Sequence, residues 1–377
     1  MTISRIQAKT LLRKQKVVDS WFLSRYYLNL YQGCLHNCSY CDGRSENYHV
    51  RGEFGKDVGV KVNALEIFQT ELDRLHHSRT FRKAHFMLGG GVSDSYQPVE
   101  ADACLARGIL ELLTKRPLPV FVLTKSTLVL RDLDLLKRIK SREPVTVAVS
   151  ISTVDDEVAK QVEPAVASPS KRLALLKDFK AAGLHVGVCL MPVLPGISDS
   201  EDHIEQALTA IKAAGAEFVL FGGLTLKSGQ QQDHYLELLE KLFPDHLDGY
   251  RQIYQGDPWG GSIPQYSRRL QQRFATLARE ARIPVRMPRR IFQPFLNDRD
   301  LVVILLEHMQ YMSSLIDEKS DFGRGAREIA HLTEPLQLSL LDEQAAPGCS
   351  AETNQSVREI LSTGTCERYE ELCAIFS

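Results

Sequence analysis

The sequence predicts an α/β fold: a partial (β/α)6 TIM-type barrel with a mainly helical C-terminal extension. Three observations carry that expectation. Between Arg25 and Leu226 short β-rich runs alternate with helical patterns, as parallel βα units require. Six such units can be made out, too few for a closed eight-fold barrel. Beyond Lys227 the alternation stops and the pattern turns helical.

The predicted strands run from Tyr26 to Tyr31, Ala84 to Leu88, Pro119 to Thr124, Val145 to Ser152, His185 to Met191 and Glu217 to Phe221. Amphipathic stretches fill the gaps, from Ala64 to His76, Ala101 to Thr114, Leu133 to Ile139, Ser170 to Ala182 and Asp199 to Ala214. Ser168-Pro169 and Ser198-Asp199 read as N-terminal caps, Gly183 and Gly215 as helix stops. The expected layout is a basic arm (1–24), the barrel (25–226) and a helical extension (227–332). A flexible linker (333–353) and a short helical module (354–377) follow.

With 377 residues, 44% of them hydrophobic and 25% charged, the chain has the composition of a folded soluble protein. The longest apolar run of the C-terminal half, Leu301 to Leu306, is far too short to span a bilayer. The first sixteen residues lack the apolar core of a secretory signal, so a cytoplasmic protein without membrane attachment is expected. The 46 basic and 47 acidic residues leave a net charge of −1, which excludes a globally basic nucleic-acid coat but not a local basic groove.

Of eight cysteines, Cys34, Cys38 and Cys41 fall within Cys34-Leu-His-Asn-Cys38-Ser-Tyr-Cys41, directly after the first predicted strand. Three thiolates at spacings of four and three can wrap one face of a [4Fe-4S] cubane and leave the fourth iron without a protein ligand. A small molecule bearing an amino and a carboxylate group can chelate that iron, and Tyr40 can pack against such a ligand. The alternatives are a structural zinc site, for which a second ligand pair is missing unless His36 serves, and three ordinary buried cysteines.

The C-x3-C-x2-C spacing with an aromatic before the last cysteine resembles the signature of the radical SAM superfamily. The surrounding "NLYQGCLHNCSYCDGRSENYHV" is similar to its spore photoproduct lyase-like branch, the DNA repair photolyase type. The similarity continues through "GGGVSDSYQPVE", "VFVLTKSTLVLRDLDLL", "VAVSISTVDDEVAKQVEP", "SPSKRLALLKDFKAAGLHVGVCLMPVLPGISDS" and "AGAEFVLFGG", and spans Arg25 to Phe243. It implies reductive cleavage of S-adenosylmethionine to methionine and a 5′-deoxyadenosyl radical, with an external electron donor. The adenine is then the ligand for Tyr40.

The same resemblance orders the cofactor contacts. Gly89, Gly90 and Gly91 end the second strand and let backbone approach a ligand, unless they form only a tight turn. Ser93 and Asp94 are expected to accept the cofactor's ammonium. Lys125 is expected at its carboxylate, the alternative being a solvated rim charge. Ser150 and Ser152 share one strand face, suited to ribose or carboxylate bonds or merely to filling the barrel. Met191-Pro192 and Pro195-Gly196 make a stiff turn beside the adenosyl group.

Two departures stand out. The best known member of the branch uses a tyrosine directly after the third cluster cysteine, where this chain has Asp42. It also uses a cysteine on the second barrel strand, where this chain has Ala84-His85. Both argue against thymine-dimer reversal by that route. Cys189, on the same strand face as Met191, is an alternative hydrogen donor or else a small buried hydrophobe. Cys104 reads as core. Cys349, Cys366 and Cys373 are spaced too openly for a second cluster and read as structural.

The segment from Tyr266 to Arg290 carries eight arginines (Arg268, Arg269, Arg273, Arg279, Arg282, Arg286, Arg289, Arg290) against one glutamate. With Trp259, Tyr266 and Phe274 nearby it can grip phosphates and stack on unpaired bases; the alternative is a solvated helix face. In the linker, Gln337, Leu338, Leu340 and Leu341 resemble the peptide by which bacterial repair proteins dock on the sliding clamp. Three functions stay open: a radical SAM enzyme acting on nucleic acid in repair or base modification, the same chemistry on a protein or small molecule, and a non-catalytic metal-binding scaffold.

Overall fold

The computed structural model describes residues 2–78, 81–89, 92–332, 336 and 348–377. The N-terminal residues 2–24, expected as an arm, carry two strands, β1 (Thr2–Ile6) and β2 (Leu12–Lys14). Next come β3 (Ser24–Leu28), β4 (Tyr31–Gln32), β5 (Asp57–Lys61) and helix α1 (Ala64–His76). Then β6 (His85–Leu88), α2 (Glu100–Ala103), α3 (Leu105–Lys115), β7 (Val120–Thr124) and α4 (Leu133–Lys140) alternate. The alternation continues with β8 (Val145–Ile151), α5 (Asp156–Val162), α6 (Pro169–Ala181), β9 (His185–Val193), α7 (Glu201–Ala213) and β10 (Val219–Gly223).

The main sheet has the order β10-β9-β8-β7-β6-β3-β2. Six strands from β3 to β10 are parallel, and β2 adds antiparallel to β3. This is the expected open barrel. Its central strand β8 is buried at every residue, so it reads as a continuous apolar run and not as an alternation. The outer edge at β10 is covered in part by the chain around Pro284, whose carbonyl accepts from Val219 N–H at 2.8 Å.

Three local expectations are corrected. The first predicted strand is split, because Tyr31–Gln32 leaves the barrel and pairs with β5 in a separate sheet with β1. The predicted helix from Ala101 breaks at Cys104, which takes a left-handed conformation and lies exposed, not in the core. The reason is the buried Glu100 carboxylate, which accepts from Ala106 N–H at 3.0 Å and so caps a second helix start. Ser200, not Ser198, caps α7; Ser198 accepts instead from Leu194 N–H.

The C-terminal part is helical as expected: α8 (Gln230–Leu242), α9 (Leu247–Ile253), α10 (Pro264–Ala281), α11 (Arg289–Phe292), α12 (Asp298–Leu315) and α13 (Phe322–Ala330), then helices Ala351–Thr363 and Glu367–Ile375. Leu301 to Leu306 on α12 are buried all round, because α10, α13 and the two last helices enclose them. Val357, Ile360 and Leu372 from the C-terminus join the same core as the barrel strands. A second, smaller core joins α8 and α9 to the cysteine loop through Cys38, Tyr40, Tyr235 and Leu239. Among the described residues no helix is long and apolar enough to cross a membrane.

Candidate active site

A cavity of about 320 Å³ opens at the C-terminal ends of the barrel strands, the place where a parallel barrel gathers its loops. Cys34, Cys38 and Cys41 line it together. The loop that carries them is anchored on several sides. Leu35 N–H donates to Gln97 Oε1 at 2.8 Å, and Ser39 N–H to Val162 O at 2.9 Å. Arg44 Nε donates to Cys38 O at 3.0 Å and its Nη2 to Asn37 Oδ1 at 2.5 Å. From α8 the buried Gln231 donates to Tyr40 O and Thr225 O, both at 2.9 Å.

Burial raises the pKa of all three thiols. Cys34 is pushed up to about 12 by burial, with Asp94 adding to it. Burial also raises Cys38, Glu163 adding to it, and burial raises Cys41. Such sulfurs ionise against a metal and not against water, which fits a cluster site. Gly43 N–H points at Cys41 Sγ from 3.4 Å.

His36 is not a spare ligand. Its Nε2 lies 3.2 Å from Asp94 Oδ2 and its Nδ1 lies 3.4 Å from Ala165 O. Among the described residues no group of three or more His, Cys, Asp or Glu is arranged to hold one metal ion. A tetrahedral zinc site would need sulfurs only about 3.8 Å apart. Cys34, Cys38 and Cys41 all line the cavity, as three ligands of a cluster with a free corner would.

The same cavity is lined by Ser93, Asp94, Lys125, Ser150 and Met191. Burial opposes the ionisation of Asp94, but bonds from His36, Lys125 N–H and Tyr96 N–H keep its carboxyl below the usual range. Thr124 Oγ1 adds a further bond at 2.9 Å. Ser93 Oγ donates to Gly33 O at 3.2 Å. Lys125 Nζ donates to Ser150 Oγ at 3.0 Å and to Glu163 Oε1 at 2.9 Å, and sits 5.7 Å from the Tyr40 ring centre. Ser150 Oγ in turn donates to Met191 O at 3.1 Å.

Around Lys125 lies a charge network that the sequence reading missed. Glu163, buried after α5, accepts from Lys125, Ser152, the Tyr40 hydroxyl and the Arg172 guanidinium. Burial works against its charge, yet Lys125 and Arg172 bring its carboxyl down to about 2. Two cations thus share this carboxylate, and of the two only Lys125 lines the cavity. A signal existed for Arg172: on α6 it shares a face with the buried Leu176 and Phe179, and a charge on an apolar face calls for a buried partner. Glu163 had only its place before Pro164.

Other expected site residues lie elsewhere. Ser152 is buried against Glu163, outside the cavity lining. Gly89 has φ +93°, and a Cβ there would lie 1.9 Å from Leu123 O, so glycine is demanded by the neighbouring strand and not by a ligand. Gly90 and Gly91 are outside the described residues, as are Gln337, Leu338, Leu340 and Leu341. Cys189, the expected alternative hydrogen donor, is fully buried, pairs in register with Ser150 on the neighbouring strand and is not among the residues lining the cavity. Cys366 Sγ contacts Met309 Sδ at 3.6 Å within the helical core.

The eight arginines do not form one patch. Arg286 is buried with its guanidinium over the rings of Trp21 and Tyr311, at 4.7 and 3.3 Å. Arg289 pairs with Glu370 at 3.1 Å, Arg290 with Glu217 at 2.5 Å, and Arg273 donates to Asp199 O. Arg268, Arg269, Arg279 and Arg282 are exposed.

Comparison with known proteins agrees with this geometry. The family described as the radical SAM superfamily matches residues 28–208. Uncharacterized proteins of Mycobacterium tuberculosis and Mycobacterium bovis are each 35% identical over 263 residues, covering 69% of this chain and 75% of theirs. One from Methanocaldococcus jannaschii is 31% identical over 236 residues, covering 62% of this chain and 82% of its own. A spore photoproduct lyase variant, solved with bound AdoMet and dinucleoside spore photoproduct, superposes with a TM-score of 0.56 at 17% identity, over 74% of this chain and 79% of the other. Members of the superfamily use a [4Fe-4S] cluster and S-adenosylmethionine. The chain belongs to the radical SAM superfamily, an enzyme of that class built on the fold of spore photoproduct lyase.

Proposed function

We propose that the protein cleaves S-adenosylmethionine reductively and acts on nucleic acid, in repair or base modification. The observation that carries the first part is one cavity lined by three cysteines together with the Lys125 ammonium and the Asp94 carboxylate. Cys34, Cys38 and Cys41 would hold a [4Fe-4S] cluster. When bound, cluster and cofactor supply the electron transfer and the 5′-deoxyadenosyl radical. Lys125, kept in place by Glu163 and Ser150, would bind the methionyl carboxylate. Asp94, held ionised, and Ser93 would meet the ammonium. Tyr40 and Met191 would flank the adenosyl group, while Phe22, Val92, Leu123 and Leu224 keep water from the cavity.

Support for a nucleic-acid substrate is the fold shared with an enzyme solved on a dinucleoside lesion, together with the exposed Arg268 and Arg269. Asp42, bonded to Lys227 and Thr225, and His85, buried beneath the cavity, replace the tyrosine and the thiol of that enzyme's branch. The proposal is therefore a different reaction on a related substrate class. An external donor of one electron is required, and the linker peptide around Leu340 is proposed as a clamp-docking segment. The test is anaerobic reconstitution with iron and sulfide, followed by a reductant and S-adenosylmethionine. A brown protein that forms 5′-deoxyadenosine, faster with DNA or RNA present, is expected. A colourless protein holding one zinc would overturn the reading. Cleavage indifferent to nucleic acid would move the substrate to a protein or small molecule.

A further inference from the structure

Two large aromatic side chains stand out in solvent among the described residues: Trp259, 79% exposed, and Tyr48, 40% exposed. Both are tied to residues that line the cavity. The turn carrying Trp259 is rigid, since Asp257 Oδ1 accepts from Trp259 N–H and Gly261 N–H, each at 2.9 Å. Gly260 follows at φ +75°, and a Cβ there would lie 2.6 Å from Lys227 N. The turn is thus pressed against the 226–227 backbone, and Leu226 N–H donates to Gly260 O at 2.8 Å. The two residues before that clamp, Leu224 and Thr225, line the cavity.

Tyr48 reaches the same rim from the cysteine side. Its hydroxyl donates to Asp42 Oδ2 at 3.1 Å, and Asp42 lines the cavity. Lys227 bridges the two halves: its Nζ donates to Asp42 Oδ2 at 2.5 Å and lies 5.6 Å from the Tyr48 ring centre. Helix α10 follows the Trp259 turn, and its first turns sit at the cavity end of β10, with Leu270 against Gly223. There Arg268 and Arg269 are exposed and have no hydrogen-bond or ion-pair partner among the described residues. Tyr266 and Phe274 take no part: Tyr266 donates to Asp199 at 2.9 Å and Phe274 stacks on Phe221 at 3.9 Å.

We infer that Trp259 and Tyr48 form a stacking platform for unpaired bases of a single-stranded nucleic acid, with Arg268 and Arg269 on its phosphates. This rests on the nucleic-acid reading above and names the form of substrate. A solvated indole on a hydrogen-bonded turn, followed on the next helix by unpaired guanidiniums, supplies the two groups that hold single strands, because every base offers a ring face and every nucleotide a phosphate. A protein-docking face would surround the indole with apolar neighbours. Here Gln255, Gly256, Asp257 and Pro258 beside it are all exposed, and they form a polar, glycine-containing turn.

The chain has two tryptophans, Trp21 and Trp259, so Trp21→Phe leaves Trp259 as the sole indole reporter. The reconstituted protein is titrated with short single-stranded DNA, single-stranded RNA and the matching duplex at two salt concentrations. Binding is read both by indole fluorescence and by anisotropy of a labelled strand. Expected are quenching by a single strand, weaker binding at high salt, and a roughly tenfold or greater loss of affinity in Trp259→Ala. Arg268→Ala with Arg269→Ala should flatten the salt dependence. The DNA and RNA arms identify the natural strand. Wild-type affinity in Trp259→Ala, or a duplex bound as well as a single strand, overturns the platform. No binding by a protein that still forms 5′-deoxyadenosine also overturns it and leaves cofactor cleavage standing. Trp259-dependent binding by a protein that cleaves no cofactor supports the platform and overturns the enzymatic reading.

Discussion

Lys125 Nζ lies 2.9 Å from the buried Glu163 carboxylate, which Arg172 engages as well. The lysine at the cavity wall is therefore aimed by a counter-ion on another βα unit. Replacing Glu163 by Gln leaves two cations without their anion, which costs about 3–5 kcal/mol when one partner of a buried pair is removed. Lys125→Met leaves Glu163 paired with Arg172. It should unfold closer to wild type while losing cofactor cleavage by tenfold or more. Thermal melts alongside 5′-deoxyadenosine assays separate the two; equal melting losses in both variants would contradict the asymmetry.

Each of Cys34→Ala, Cys38→Ala and Cys41→Ala should lower the iron bound after anaerobic reconstitution and abolish cofactor cleavage. Cys104→Ala, at an exposed kink between α2 and α3, should leave both nearly intact. Iron and sulfide analysis of the four variants checks this, and normal turnover in Cys38→Ala would sink the cluster assignment.

Gln231 is fully buried and donates to the carbonyls of Tyr40 and Thr225. Gln231→Ala leaves buried acceptors unpaired, at about 1–3 kcal/mol. It also frees the loop between Cys38 and Cys41. A lower melting temperature is expected, together with faster loss of iron to a chelator. A variant that melts lower but keeps its iron as well as wild type would show that α8 stabilises the fold without steadying the loop.

Two buried histidines grip one stretch of chain: His85 Nδ1 lies 2.8 Å from Phe22 O and His308 Nε2 lies 3.0 Å from Ser20 O. Burial lowers His85 to about 4 and His308 to about 3. Their folded values lie below the ordinary value near 6.5. The unfolded chain therefore takes up protons first as pH falls. Stability is unaffected above pH ~6.5 and should drop as pH falls from there towards about 4. His308→Gln keeps a donor for Ser20 O and removes one titration, so its melting temperature should vary less over that range. An unchanged pH slope in this variant would count against the assignment.

The local code was legible where it rests on short-range chemistry. The six parallel strands, the Ser168 cap, the stops at Gly183 and Gly215 and the three-cysteine loop follow from periodicity, capping and spacing within a few residues. The break at Cys104 was not legible, because its cause is the Glu100 carboxylate turning back to cap α3 while also meeting Tyr31 and Arg131. Residues 2–24 read as an arm because β1 exists only through β5, more than fifty residues on, and the three-residue β2 only through the edge of β3.

Which charges are free was likewise decided only in three dimensions. Eight arginines within 25 residues look alike in sequence, yet one is buried between aromatic rings and others face carboxylates, leaving few for a ligand. Glu163 and Arg172, both from the connection between β8 and β9, converge with Lys125 from the end of β7. The sequence by itself determined the cluster loop and the barrel strands, since both depend on neighbours in the chain. The tertiary structure decided how the cavity is charged and which aromatic rings meet solvent, because burial and pairing energies depend on partners that only folding brings together.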